Sequence, residues 1–313
     1  GLAGKGRAGT AATQAQFARL MRDLAVSDEV AIELSNNGGT EALVGAAQKH
    51  YDSVEVQVAV AGALRNLSEL EEIALDIATS DGLEVLTDAF ARHPDSVEVA
   101  KAAAGAMWGM SLYDDICELI SEMGSHQTLI DAAKKHAGDA EVQVAALGAL
   151  RNLAVSPEGK QAVADNDGLD VLMAAAGAHL DNALVQAQVA GALRNLSLKD
   201  EIAEQIAAEG GIEALIRVAR QHPENAKVQA GVAGALRNLT VNDEIAERIV
   251  KAGGIEVLIA AGEAHPPHAD VQSEVAGALW GLSVSDEIEA KISEAKALLI
   301  LVGAAKSHLD SIK

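Results

Sequence analysis

Apolar side chains recur at helical spacing in three segments, and this set of three repeats along the chain. Residues 243–282 show the pattern most clearly. It predicts a short helix over about 243–252, a second over about 255–264, and a longer third helix over about 270–282. The apolar stripe of the third helix consists of Val271, Val275, Ala278, Leu279 and Leu282.

Polar and small residues mark the ends of these helices. Asn242 stands where a side chain caps the first helix, and the same position in other copies holds Ser27, Ser156 and Ser285. A Gly-Gly pair at 253–254 ends the first helix, because glycine accepts the left-handed conformation common at helix ends. A His-Pro-Pro sequence at 265–267 ends the second helix. Each copy is therefore predicted to contain three helices joined by short turns.

A fixed period of 43 residues links the copies. The sequence Ala-Leu-Arg-Asn-Leu-Ser, or a close variant, returns at this interval without insertion or deletion. Its arginine position is occupied in turn by Arg22, Arg65, Trp108, Arg151, Arg194, Arg237 and Trp280. A regular period of this length predicts stacked repeats and not a closed globular fold, because each repeat packs only against its neighbours.

The three helices, the Gly-Gly turn and the ending Ala-Leu-x-Asn-Leu resemble the armadillo repeat over about residues 13–308. The resemblance implies an all-α, right-handed superhelical solenoid. We predict a flexible segment at residues 1–12 and one array at 13–313, with about six full repeats and a half-repeat at each end. HEAT and tetratricopeptide arrays have similar periods, but their two-helix repeats lack the short first helix. An uncovered apolar segment at 298–302 predicts either a truncated end or a surface for self-association.

Composition and charge narrow the classes of function. The chain has 24 basic and 46 acidic residues, a net charge of −22, which disfavours binding to nucleic acid and to anionic membranes. The longest nearly apolar run, residues 297–305, is too short to span a bilayer. The single cysteine, Cys117, excludes an internal disulfide and fits a reducing compartment, so we expect a cytoplasmic or nuclear protein.

An asparagine recurs near the end of the third helix, at Asn66, Asn152, Asn195 and Asn238. Armadillo proteins line a concave groove with this helix, and the resemblance implies that these asparagines bind the backbone of an extended peptide. An amide offers both a donor and an acceptor, and the spacing of about 8–10 Å between packed helices matches two or three extended residues. Alternatively, each asparagine bonds to the neighbouring repeat and holds the stack together.

The position before it holds the arginines Arg65, Arg151, Arg194 and Arg237 and the tryptophans Trp108 and Trp280. Arginines in a row favour an acidic or phosphorylated ligand, because guanidinium binds carboxylate and phosphate with two parallel hydrogen bonds. Alternatively, they pair with acids at the start of the next helix, namely Glu72, Glu158, Glu201 and Glu244. Each tryptophan is a candidate anchor for a ligand side chain, although burial is the simpler interpretation.

Two further positions are better explained by architecture than by binding. A glycine recurs in the third helix at Gly62, Gly105, Gly148, Gly191, Gly234 and Gly277. Close helix packing explains it more simply than a groove floor left open for a ligand. A histidine recurs at the end of the second helix, at His50, His93, His136, His179, His222, His265 and His308. One repeat is too wide a spacing for a metal site, so we expect bonds to helix-terminal carbonyls, with a pH-sensitive surface as the alternative.

The candidate acids, bases and nucleophiles recur as repeat features and do not converge, so we expect no catalysis, cofactor or metal. The sequence therefore predicts a scaffold that binds a protein or peptide in extended conformation, with an acidic ligand as one option. A first alternative is a nuclear transport adaptor of the importin-α type, although that family carries tryptophan where this chain has the recurring glycine. A second is a structural or engineered consensus-like array without a natural ligand.

Overall fold

The computed structural model describes residues 9–283 and 286–294. Within these ranges every regular element is an α-helix, and there is no strand. The chain divides into two compact units, unit 1 at Gly1–Asn166 and unit 2 at Asp167–Lys313. The predicted all-α class is confirmed, whereas the single array over 13–313 and its superhelical form stay predictions. His308, Ser285 and the apolar segment 298–302 lie outside the described residues.

Unit 1 begins with a helix that corresponds to the third helix of a repeat. Three full repeats of three helices follow, and then the first helix of the next repeat. The predicted N-terminal half-repeat is the helix at the start of unit 1, and Thr10 caps it by accepting a hydrogen bond from the N–H of Thr13 at 3.3 Å. The helices are α1 Ala11–Leu24, α2 Asp28–Asn36, α3 Gly39–Lys49, α4 Val54–Leu67, α5 Glu71–Thr79, α6 Gly82–Arg92, α7 Val97–Met110, α8 Asp114–Glu122, α9 His126–Lys135, α10 Ala140–Leu153 and α11 Pro157–Asp165.

Unit 2 continues the same order of elements. Its helices are α12 Gly168–Ala178, α13 Ala183–Leu196, α14 Asp200–Ala208, α15 Gly211–Gln221, α16 Ala226–Asn238, α17 Asp243–Ala252, α18 Gly254–Ala264, α19 Ala269–Leu282 and α20 Asp286–Glu294. The helices predicted over 243–252, 255–264 and 270–282 are α17, α18 and α19, each within one residue of the expected bounds.

Helices of the same type pack against one another within each unit. In unit 1 the third helices α1, α4, α7 and α10 form a row, and in unit 2 α13, α16 and α19 form a row. The second helices pack beside them, with α3 on α6 and α12 on α15. Leucines at the end of each apolar stripe, such as Leu64 and Leu67, are fully buried. The burial of this stripe between rows is the main favourable contribution to folding.

The turn between the first and second helices has a left-handed backbone in every described copy. Glycine holds it at Gly38, Gly124, Gly210 and Gly253, with φ between 70° and 95°. Asp81 and Asp167 adopt φ of 63° and 62° at the same position, because a short polar side chain tolerates this conformation. The predicted glycine stop is confirmed.

The predicted caps Ser156 and Asn242 bond the N–H groups of Gly159 and Ile245, but Ser27 makes no such bond.

Buried glutamines connect the second and third helices of a repeat, a feature missed by the sequence analysis. Gln143 Nε2 donates to the carbonyls of Ala133 at 2.8 Å and His136 at 3.2 Å. The same pair of bonds is made by Gln57, Gln186, Gln229 and Gln272. These amides satisfy carbonyls at the end of the second helix, which otherwise lack partners.

The histidines connect successive repeats. His93 Nε2 bonds to the carbonyl of Tyr51 at 2.7 Å, 42 residues earlier, and His136 Nε2 bonds to that of Pro94 at 2.9 Å. In unit 2, His222 and His265 bond in the same way to Leu180 and Pro223. The expected bond to a carbonyl is therefore confirmed for these four residues, but the carbonyl belongs to the preceding repeat. The histidines thus act as links in the stack.

Candidate functional site

Each unit has a third-helix surface. In unit 1 it consists of Gly62, Arg65 and Asn66 on α4 and the residues at the same positions of α7 and α10, and in unit 2 it consists of the residues at these positions of α13, α16 and α19. These positions lie on neighbouring turns, because residues three and four apart share a helix face. The predicted groove residues therefore do lie together within each row of third helices.

The recurring glycine supports the side chain that projects from the preceding third helix. In unit 1 a Cβ on Gly105 would lie 3.5 Å from Arg65 Nη1, and one on Gly148 would lie 2.6 Å from the Trp108 indole. In unit 2 a Cβ on Gly277 would lie 2.6 Å from Arg237 Cδ. At Gly148 and Gly277 the glycine therefore leaves the space in which the side chain lies flat across the helix, whereas at Gly105 the contact is an ordinary one. The alternative of an open groove floor is wrong at these positions, since the protein itself covers them.

The asparagines bond to the preceding repeat. Asn66 Nδ2 donates to the carbonyl of Arg22 at 2.9 Å, and Asn238 Nδ2 donates to that of Arg194 at 2.9 Å. Asn152 Nδ2 donates to Ser111 Oγ at 3.1 Å. The role predicted as the alternative, holding the stack, is therefore present at these three residues. Asn195 is half-buried on α13.

Two breaks in the asparagine series lie beside hydroxyl groups of the preceding repeat. Gly109 takes the place of asparagine on α7, and Ser68 Oγ donates to the Arg65 carbonyl at 2.8 Å. Gly281 takes the place of asparagine on α19, and Thr240 Oγ1 donates to the Arg237 carbonyl at 2.6 Å. A Cβ on Gly281 would lie 2.4 Å from that hydroxyl oxygen. A side chain at 281 would therefore have to displace the threonine hydroxyl.

A buried carboxylate joins two arginines of unit 2. Glu274 on α19 contacts Arg194 Nη2 through Oε1, and Oε2 lies 2.9 Å from Arg237 Nη1 without the alignment of a hydrogen bond. The Glu274 side chain is only 8% exposed, whereas those of Arg194 and Arg237 are 39% and 38% exposed. The position equivalent to Glu274 holds Gln188 on α13 and Gly231 on α16, the other third helices of unit 2.

The acids predicted to pair with the arginines do not do so. That prediction is wrong for Glu72, Glu158, Glu201 and Glu244, none of which forms an ion pair within the described ranges. They lie in the first turn of their helices, where a negative charge favours the helix dipole. The carboxylate that does pair, Glu274, has a sequence separation of 80 residues from Arg194, so local pattern carries no sign of it.

The arginines of unit 1 have different surroundings. Arg65 is exposed, and its guanidinium has no ion pair or hydrogen bond in the described part of the chain. The positions equivalent to Glu274 on α7 and α10 are Ala102 and Ala145, which offer no carboxylate. Arg151 is half-buried, and burial lowers the pKa of its guanidinium. Unit 1 therefore presents an unneutralised guanidinium at Arg65.

The two tryptophans differ. Trp108 is half-buried and packs over Gly148, so the predicted burial holds in part for this residue. Trp280 is 83% exposed at the end of α19, and the expectation that it is buried is wrong. An indole with this exposure offers a large apolar contact area and a hydrogen-bond donor.

Other chemistry-bearing residues have structural surroundings. Cys117 is 4% exposed and donates to the carbonyl of Ser111 at 3.2 Å, and burial raises the pKa of its thiol to about 11. A thiol with this pKa is unreactive at neutral pH. Within residues 9–283 and 286–294, no three His, Cys, Asp or Glu residues form a metal-ligand set, and no helix is long and apolar enough to cross a membrane.

Comparison with known proteins shows similarity of structure. No protein-family model matches the sequence, and no curated protein matches it. The chain is similar to the crystal structure of an engineered protein at 28% identity and a TM-score of 0.68, over 78% of this chain and 96% of that chain. It is also similar to a chain from a structural study of a phosphorylation switch controlling the interaction between cadherin and β-catenin, at 18% identity and a TM-score of 0.73.

The second match covers 90% of this chain and 52% of the other, so this chain spans about half of that relative's length. At 18% identity the similarity shows the fold alone. The fold is therefore an α-helical repeat arrangement, and the function must be argued from the third-helix surface.

Proposed function

We propose that this chain is a non-enzymatic scaffold of the armadillo type, with a 43-residue repeat, that binds an extended protein segment along the third-helix surface. The ligand runs across successive third helices. The asparagine side chains contact the ligand backbone, and the arginines and tryptophans contact its side chains.

One observation carries the proposal. On α4, Arg65 and Asn66 present free hydrogen-bonding groups side by side: the guanidinium has no partner, and Asn66 Oδ1 accepts no hydrogen bond within the described residues. The other Asn66 group, Nδ2, is held by the Arg22 carbonyl, which fixes the orientation of the amide. A fixed acceptor beside a free cationic donor is what a peptide N–H and an acidic side chain need.

The similarity to a structure from the cadherin and β-catenin study supports the proposal at the level of fold. That study concerns a protein–protein interaction under phosphorylation control. The exposed, unpaired guanidinium of Arg65 on a chain of net charge −22 also favours a ligand with carboxylate or phosphate groups.

The test is a selection from a random peptide library displayed on phage, with the full chain as bait. Binders are synthesised, and their affinities are measured for the wild type, Asn66→Ala and Arg65→Ala. We expect each substitution to weaken binding about tenfold, since loss of a hydrogen bond to a charged group costs about 1.5–3 kcal/mol and of a neutral one about 1.

Arg217→Ala is the matched control, because Arg217 is an exposed arginine on the second helix α15 without an ion pair in the described chain. Its affinity should equal that of the wild type. A selection that yields no binder, or binders whose affinity none of these substitutions changes, would instead favour a structural array without a peptide ligand.

A further inference from the structure

Glu274 occupies an unusual position for a carboxylate. Its side chain is more than nine-tenths buried, yet Oε2 has no aligned hydrogen bond and relies on an ion-pair contact with Arg237. Burying a carboxylate costs several kcal/mol unless charges and hydrogen bonds compensate it. The compensation comes from Arg194 and Arg237, which approach it from two successive third helices.

The fold does not require an acid at this position. The equivalent residue of the other third helices is Gln16, Ala59, Ala102, Ala145, Gln188 or Gly231. Alanine stands there on three third helices of unit 1 and glycine on one of unit 2, so these helices pack without an acid. Glu274 therefore serves the two arginines and not the architecture of α19.

The arginines are also oriented without Glu274. Arg194 lies across Gly234 and Arg237 lies across Gly277, so that each guanidinium stem rests on the backbone of the next third helix. Arg237 Nε is further placed 3.5 Å from Asn238 Oδ1. Two guanidinium groups are thus held near one point by packing, and together they carry two positive charges against one carboxylate.

We propose that Arg194 and Arg237 form a binding site for an anionic side chain of a protein ligand, and that Glu274 fills this site as an internal counter-ion. The ligand group is a carboxylate or a phosphate monoester, since both match the guanidinium donors. An incoming carboxylate exchanges with that of Glu274, which leaves the net charge at the two arginines unchanged. This inference rests on the proposed function, because it places the acidic contact on the third-helix surface of unit 2.

The test uses the full chain with N-acetyl-glutamate amide and N-acetyl-phosphoserine amide as probes. Binding is followed by the NMR shifts of the arginine Nε–H groups, assigned with Arg194→Lys and Arg237→Lys. Removing Glu274 in Glu274→Ala should raise the affinity of at least one probe at least tenfold and shift both arginines. The tighter probe identifies the ligand group as carboxylate or phosphate.

Glu263→Ala is the control, since Glu263 is an exposed acid on α18 without an ion pair in the described residues and its removal changes the net charge equally. If Glu274→Ala binds both probes no more tightly than Glu263→Ala, the inference is overturned. Should Glu274→Ala fail to fold by circular dichroism, Glu274→Gln replaces it with the same expectation. Because the probes are single residues, this result is independent of whether the library selection finds a peptide.

Discussion

The arginines of the two units share a position in the repeat but not a state. In unit 1, Arg65 lies over Gly105 with an exposed guanidinium that has no partner among the described residues. In unit 2, Arg194 and Arg237 lie over glycines in the same way but share the buried carboxylate of Glu274. The difference arises from one residue on a third helix that follows in the row. A repeated cationic row can therefore be open in one unit and internally neutralised in the other.

The largest expected effect comes from removing both arginines around Glu274. Arg194→Ala with Arg237→Ala leaves a buried carboxylate without a positive partner, so we expect the free energy of unfolding to fall by about 3 kcal/mol. Arg22→Ala with Arg65→Ala removes only an exposed pair with Asp23 and an unpaired guanidinium, and should cost less than about 1 kcal/mol. Urea denaturation followed by circular dichroism measures both. Equal losses for the two double variants would mean that the units do not differ as described.

The glycines beneath the side chains differ in how much space they leave. A Cβ on Gly148 would meet the rigid Trp108 indole at 2.6 Å, whereas one on Gly105 meets Arg65 at an ordinary 3.5 Å. We expect Gly148→Ala to destabilise unit 1 by about 1–3 kcal/mol through overpacking. Gly105→Ala should stabilise it by about 0.5–1 kcal/mol, since alanine is the better helix former. Thermal denaturation gives the sign, and the tryptophan fluorescence should shift only in Gly148→Ala.

Cys117 provides a probe confined to unit 1. Its thiol pKa is about 11 in the fold, against an ordinary value of 9.0. The unfolded chain therefore loses this proton first as pH rises, and stability should fall between about pH 9 and pH 11. The loss is about 1.4 kcal/mol at pH 10. In Cys117→Ser this part of the pH dependence should vanish. A thiol reagent should modify native Cys117 only when unit 1 opens, and rapid labelling at pH 8 would contradict its burial.

Regular features of the repeat were predictable from the sequence. The helices over 243–282, the left-handed turn at Gly253 and the histidine-to-carbonyl bond all depend on residues close in the chain or on a strict period. The buried glutamines were missed, although a polar residue recurs beside Val56 in the apolar stripe of most third helices. Its partners, the carbonyls of Ala47 and His50, come from another helix and are evident only after packing.

Residues that depart from the repeat also differ in how far the sequence alone predicts their contacts. Phe90 replaces the small residue, alanine or glycine, whose carbonyl a glutamine bonds in other repeats, and Ala100 replaces that glutamine. The Phe90 ring packs there with Ala100, Ala132 and Val142. This exchange is visible in the sequence, since residues 90 and 100 both depart from the residue type that the other repeats have at their positions. The pairing of Glu274 is not visible in this way, because its partners lie on two other repeats.

The most direct test of the account compares single arginines from the two units against an acidic peptide. A library-selected binder containing Asp or Glu is titrated by calorimetry into the wild type, Arg65→Ala and Arg237→Ala. If the open guanidinium of unit 1 receives the ligand and Glu274 occupies the site in unit 2, Arg65→Ala should weaken binding about tenfold, which corresponds to about 1.4 kcal/mol. Arg237→Ala should change it less than about twofold, because a ligand carboxylate at Arg237 only replaces that of Glu274 and gains little net free energy. Equal weakening by both substitutions, or a larger effect of Arg237→Ala, would contradict the account.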